Sequence, residues 1–321
     1  MNATSIPLDV HEFAKGKATH ATTSPYNYVP IEWIAILYVV LFSITTLIHF
    51  GQAIRYKLWW LFITVVLAGI TETIGWSGRL WSSLNPLLLS PFLMQITSTI
   101  IAPTPLIAAN FIILGQVIRR LGSCYSRLSA KWYTIVFVSC DIIALIVQAV
   151  GGANASLAVQ NGNSPNKGGH IMLGGIIFQL IAITVYMVLA AEFLVRYIMD
   201  KPFKRGDDRT VKAYNLDQKK KLMLIELTIS SIFIYIRSIY RTIELANGWN
   251  GRIISTQWLF NVFDAAMITL AMYSLNVLHP GRLLGPGPAW TNDADVAKNA
   301  DVASSVDGRS SEGHAPEMSM A

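Results

Sequence analysis

An all-α polytopic membrane protein, a seven-transmembrane-helix bundle, is the fold class that this chain of 321 residues predicts. Apolar residues make up 53% of it and charged residues 14%. The apolar residues gather in seven stretches, each long enough to cross a bilayer. A hydrocarbon core about 30 Å thick takes about 20 helical residues at about 1.5 Å of rise each. Open sheet edges and irregular backbone cannot face lipid, so the stretches must be helices.

In order they run Ile31–Phe50, Leu58–Leu80, Phe92–Leu114, Trp132–Val150, His170–Val195, Leu222–Tyr240 and Thr256–Leu278. The first follows a polar segment and has no small-residue cleavage site, so it is expected to insert and stay. The second carries Glu72 and Arg79. The third carries Gln95 and, near its centre, Ala102-Pro103-Thr104-Pro105. Pro103 and Pro105 free backbone carbonyls and make a hinge, tolerated at this depth only against protein or a wet cavity. The fourth holds Asp141 and Gln148, and Gly151-Gly152 is expected to close it. Gly174-Gly175 lets the fifth, with Gln179, pack closely. The sixth ends in Arg237, Arg241 and Glu244, and the seventh contains Asp264.

Lys and Arg are distributed unevenly among the loops. Fifteen fall in the first, third and fifth, from Arg55 and Lys57 to the run Arg196–Lys221, and five in the N-terminal tail and the alternate loops. The positive-inside rule then places the N-terminus outside and the C-terminus in the cytosol. Residues 1–30 form an extracytoplasmic tail, 31–281 the transmembrane domain and 282–321 a disordered acidic cytosolic tail. The glycosylation sequons at Asn2 and Asn154 both fall on the expected outer side. The basic loop 199–221 suits contact with anionic lipid headgroups, and serves equally as a pure topology signal.

Ionisable side chains at membrane depth are costly and usually pair or line a cavity. With this topology Glu72, Arg79, Gln95, Asp141, Gln148, Gln179, Arg237, Arg241, Glu244 and Asp264 fall in the outer or middle part of their spans. The inner half has little beyond His49, Asn110, Glu226 and Asn276. Glu72 with Arg79, Asp141 with Gln148, and Arg237 with Glu244 are each seven apart and share a helix face. Faces aimed inward would line a polar chamber under the outer rim. The alternative is a set of salt bridges that neutralise one another and hold helices together.

A basic pI near 9.3 does not imply nucleic acid, because the basic residues sit between hydrophobic segments. No phosphate-binding Gly-x-x-x-x-Gly-Lys-Ser/Thr loop, no metal-ligand spacing of His or Cys, no Lys in the seventh span and no Gly-x-Ser-x-Gly elbow occurs. Neither a cofactor nor a metal is expected, and enzymatic activity is not the reading these residues favour. Cys124 and Cys140 lie too far apart in the topology for a structural disulfide.

Pro25-Tyr26-Asn27-Tyr28-Val29-Pro30, Glu72-Thr73-Ile74-Gly75-Trp76-Ser77-Gly78-Arg79, Gln95 with Ala102-Pro103, and Asp141 with Gln148 and Gly151-Gly152 follow one another along the chain. Gly174 and Gln179, Arg237-Ser238-Ile239-Tyr240-Arg241-Thr242-Ile243-Glu244, Gly248 and Gly251, Phe263-Asp264-Ala265-Ala266-Met267 and His279-Pro280-Gly281 continue the series. From Tyr26 to Gly281 this order resembles the fungal RTA-like, lipid-translocating exporter family. Two positions depart from the family pattern: Trp76 stands where Tyr is usual, and Gln257 where Glu precedes the seventh helix, altering the charge at the chamber mouth.

The resemblance implies movement of amphipathic lipids, notably sphingoid long-chain bases, across or out of the plasma membrane; an endoplasmic reticulum or other endomembrane site is the alternative. It also implies ties to resistance against toxic amphiphiles or to porphyrin movement. A headgroup would enter the chamber while its tail stays in hydrocarbon. Without an ATP site the process is downhill, ion-coupled or indirect. The competing reading is a receptor-like sensor of lipids or small amphiphiles, although the third helix lacks an Asp-Arg-Tyr end and the seventh lacks Asn-Pro-x-x-Tyr.

Overall fold

The computed structural model of the protein describes residues 24–202, 217–248 and 251–287. Seven helices long and apolar enough to cross a membrane run Glu32–Tyr56, Trp59–Leu84, Leu89–Leu121, Ala130–Gln160, Asn166–Ile198, Gln218–Ala246 and Gln257–Leu283, called spans one to seven below. Among the described residues there is no strand. The chain is an all-helical integral membrane protein. Asn2 and most of the tail expected at 1–30, the centre of the basic loop, and residues 288–321 lie outside the described residues.

The helices outrun the apolar stretches because the hydrogen-bond ladder continues into polar sequence beyond the hydrocarbon. Span four does not close at Gly151-Gly152 but continues to Gln160. The reason is packing. Gly151 abuts the backbone of Met172 in span five, and Gly168 that of Ala155, so small residues bring two backbones together. Gly175 acts likewise, since a methyl group there would meet the Ala144 carbonyl oxygen at 3.0 Å, whereas Gly174 faces open space. Asn154, exposed, lies inside this extension, within the helix.

Span three is the central helix. Within its most apolar window 78% of the residues are buried inside the protein, against 22% in span one. Spans one, two and five turn residues such as Leu47, Ile63, Ile181 and Val188 outward, as lipid-facing helices do. Span three is interrupted at Ala102, between helical segments Leu89–Ile101 and Pro103–Leu121. Ala102 keeps helical angles, so the interruption comes from the N–H groups that Pro103 and Pro105 lack.

Two π-helical segments interrupt the other spans, Phe62–Val66 in span two and Asn261–Ala266 in span seven. Hydropathy does not signal either. Such π turns often mark functional positions, and the second contains Asp264.

Candidate functional site

Four of the expected polar residues, Arg237, Arg241, Glu244 and Asp264, converge with Gln95 on one centre toward the end of the bundle that carries residues 24–31. Asp264 Oδ1 accepts from Arg237 Nε at 2.9 Å and from Arg241 Nε at 2.8 Å, while its Oδ2 accepts from Arg241 Nη2 at 3.2 Å. Arg241 Nη1 donates to Glu244 Oε2 at 2.7 Å, and the Tyr240 hydroxyl donates to Glu244 Oε1 at 3.0 Å. Thr99 joins span three to the group: its hydroxyl accepts from Arg241 Nη2 at 2.8 Å and its carbonyl from Arg237 Nη2. Gln95 reaches the same hydroxyl at 3.3 Å. All of these residues are buried. Two guanidiniums thus face two carboxylates, and the quartet carries no net charge.

Arg79 takes a different course. Its expected face-mate Glu72 is not its partner. Arg79 Nη2 donates to the Tyr28 hydroxyl at 2.6 Å, and its guanidinium lies 4.6 Å from the Phe260 ring centre, 5.2 Å from Tyr26 and 5.5 Å from Trp76. An aromatic enclosure of this kind stabilises a desolvated guanidinium by about 2 kcal/mol or more per good ring contact. Phe260 serves both sides, because Arg241 lies 4.9 Å from the same ring centre. Residues 24–28 are drawn onto this end of the bundle, with Tyr26 edge-on to Phe92 at 4.8 Å. Burial pushes the Tyr26 hydroxyl up to about 12, so at neutral pH it remains a protonated donor to Ser82, 3.3 Å away.

Glu72 lies within electrostatic range of Asp264, Arg237 and Arg241, and among the described residues its buried Oε1 has no hydrogen-bond partner. Gln148 Nε2 donates to Gln179 Oε1 at 2.9 Å, and Gln179 Nε2 reaches the Thr104 hydroxyl at 3.3 Å. Gln148 Oε1 is left buried and unpartnered. Asp141, two helical turns below Gln148, joins none of these networks.

The open space lies beside this centre rather than within it. A groove of about 420 Å³ runs between the Leu89–Ile101 segment of span three and span four, lined by apolar groups such as Phe92, Ile96, Ile100 and Ala153. Thr97, Ala149 and Ala153 are exposed, which makes the groove a sideways opening onto the bundle's lipid-facing surface. Ile100 and Gln148 form its inner wall, and the same two residues line a second pocket of about 10 Å³ that reaches Arg237 and Arg241. That inner space holds about one water. Part of the polar set therefore meets as a closed, ion-paired cluster beside an apolar crevice, where the sequence suggests a polar chamber.

The model of the family described as RTA1 like protein matches residues 65–286, more than half of the chain. The chain belongs to this family. The sphingoid long-chain base transporter RSB1 of Saccharomyces cerevisiae (strain ATCC 204508 / S288c) is 28% identical over 267 residues, covering 76% of this chain and 70% of the relative. Protoporphyrin uptake protein 1 of the same yeast is 27% identical over 315 residues, covering 87% and 96%. Its protein RTA1 is 26% identical over 280 residues, covering 79% and 84%. No solved structure matches the chain.

The RTA1-like match spans every polar group of the cluster from Glu72 to Asp264, together with both walls of the groove. Thr99 and Phe260 are the members that sequence reasoning missed. Thr99 stands one turn beyond Gln95, on the same helix face, and that spacing was the available signal. Phe260 precedes Asp264 in an apolar run, and only the π turn reveals that both face the centre.

Proposed function

We propose that the protein is a membrane translocator, or exporter, of amphipathic lipids, with single-chain sphingoid bases and related toxic amphiphiles as its substrate class. The observation that carries this reading is the wall shared by the sideways apolar groove and the arginine–carboxylate centre. A hydrocarbon tail lying in the groove stays in an apolar medium throughout, while the headgroup crosses the protein at Gln148. The unpartnered Oε1 of Gln148 accepts a hydrogen bond from an ammonium or hydroxyl group. Arg237 and Arg241 already hold carboxylates, so a phosphate would have to displace them. A donor-rich head is the better fit, in keeping with the sphingoid long-chain base named for one relative.

In this reading the ten polar residues from Glu72 to Asp264, nine of them buried and Gln179 half-buried, form or support the headgroup path. Pro103 and Pro105 supply its hinge. The N-terminal tail (1–30), bearing the Asn2 sequon, lies outside the cell, the core occupies 31–281, and the tail 282–321 is cytosolic. The plasma membrane is the expected site, and no catalysis or cofactor is required. The test is purified protein in liposomes supplied with fluorescent sphingoid bases, phospholipids and a porphyrin. Selective movement of the single-chain amine supports the proposal. Failure to move any amphiphile, with binding retained, would favour a sensor.

A further inference from the structure

Buried charge does not balance across the bundle, and the excess lies away from the cluster described above. Among the described residues the buried guanidiniums are Arg79, Arg237 and Arg241, whereas the buried carboxyls are Glu72, Glu244, Asp264, Asp141 and Glu226. The first three carboxyls share the region of the arginines. Asp141 and Glu226 do not.

Glu226 is 0% exposed, and neither of its carboxyl oxygens has a hydrogen-bond partner among the described residues. It is nevertheless set in polar surroundings. One turn on, Ser230 accepts from Asn110 Nδ2 of span three at 3.1 Å, and Tyr186 of span five lies close to both Glu226 and Ser231. Tyr186 is the titratable neighbour, with Tyr133 of span four beyond it. Among the described residues no guanidinium, ammonium or imidazole lies in electrostatic range of Glu226. Asp141 is 2% exposed, and among the described residues its Oδ2 has no partner and no charged group lies in range of it. The two are linked through packing: the Tyr186 ring lies 5.7 Å from that of Phe137, one turn before Asp141 on the same face. Asp141 in turn lies two turns below Gln148 at the groove wall.

We propose that Glu226 and Asp141 are proton-binding sites that couple amphiphile movement to a proton gradient across the membrane. A bare carboxylate at bilayer depth costs several kcal/mol, so the bundle can close around these groups only when each carries a proton. Opening to one side lets water reach a carboxylate oxygen and take or deliver that proton. Only an O–H bond forms and breaks, and the gradient supplies the drive. Chains of buried acids serve this purpose in other pumps and transporters. Coupling rests on the translocator reading, and it selects the ion-coupled option among those left open by the absence of an ATP site.

The test uses the full chain in phosphatidylcholine vesicles with an imposed pH gradient, a lumenal pH dye and a fluorescent sphingoid base. Protein-free vesicles supply the baseline, since the amine itself redistributes with pH. Wild-type protein is expected to move the base several-fold faster with the gradient than without it, and to carry protons as it does so. Glu226→Gln is expected to keep gradient-free equilibration while losing both the acceleration and the proton flux, and Asp141→Asn, at a residue of the headgroup path, is expected to lose the acceleration and the proton flux. Infrared difference spectra against pH are expected to contain protonated-carboxyl bands that each variant removes. Equal rates with and without the gradient, and no proton flux, would overturn coupling while leaving translocation standing. If no amphiphile moves at all, the translocator reading fails, and infrared spectra without those titrating bands would overturn proton binding as well.

Discussion

Arg237 in span six donates to the backbone carbonyl of Thr99 in span three, and that carbonyl is free because Pro103, four residues on, has no N–H to return to it. The proline that interrupts the helix therefore creates the acceptor that anchors the arginine centre. Sequence chemistry, helix geometry and the candidate site meet in this one contact.

Replacing Pro103 with alanine restores an N–H aimed at Thr99. The Thr99 carbonyl then has a helical partner that competes with Arg237, whose hydrogen bond to it is worth about 1.5–3 kcal/mol as one made by a charged group. P103A is expected to remain folded and to lower the amphiphile transport rate several-fold. An unchanged rate in liposomes would separate the hinge from function.

Asp264 holds both arginines, so its removal leaves two buried guanidiniums short of charge. Breaking a buried pair in this way costs about 3–5 kcal/mol. Asp264→Ala is expected to melt well below wild type in detergent, and adding Arg237→Met is expected to recover part of the loss. Additive losses in the double variant would contradict the geometry.

Ala153 is exposed at the groove and touches no part of the ion-paired cluster. Ala153→Trp is expected to fill the crevice, leave thermal stability within about 0.5 kcal/mol as surface changes usually do, and reduce movement of long-chain bases at least tenfold. Short-chain analogues are expected to be affected less. Equal inhibition at every chain length would place the tail elsewhere.

Orientation is open to a direct assay. An epitope ahead of Pro25 is expected to be labelled on intact cells, and one after Asp293 only once the membrane is permeabilised, following the positive-inside rule. Labelling of the C-terminal epitope on intact cells would invert the depth argument.

The bundle was legible because twenty-residue apolar runs allow a single solution in lipid. Arg237, Arg241 and Asp264 were legible as site candidates because charge at such depth demands a partner. Which partner was not. Heptad spacing put Arg79 on a face with Glu72, yet aromatic rings from residues 26 and 28, ahead of the first span, enclose Arg79 instead. Gly151-Gly152 reads as a helix end, and Gly151 proves to be a backbone contact with span five. The groove left no sequence signature, since Ile96, Ala149 and Ala153 look like any lipid-facing residues until two helices diverge.

The central claim is that a substrate tail lies between spans three and four while its head reaches Gln148. A sphingoid base bearing a photoreactive group midway along its chain tests this most directly, with labelled peptides identified by mass spectrometry after irradiation in liposomes. Labelling is expected to concentrate in peptides 89–101 and 148–159, and unlabelled base is expected to compete it away. Uniform, non-competable labelling of outward residues such as Leu47, Ile181 and Val188 would contradict it.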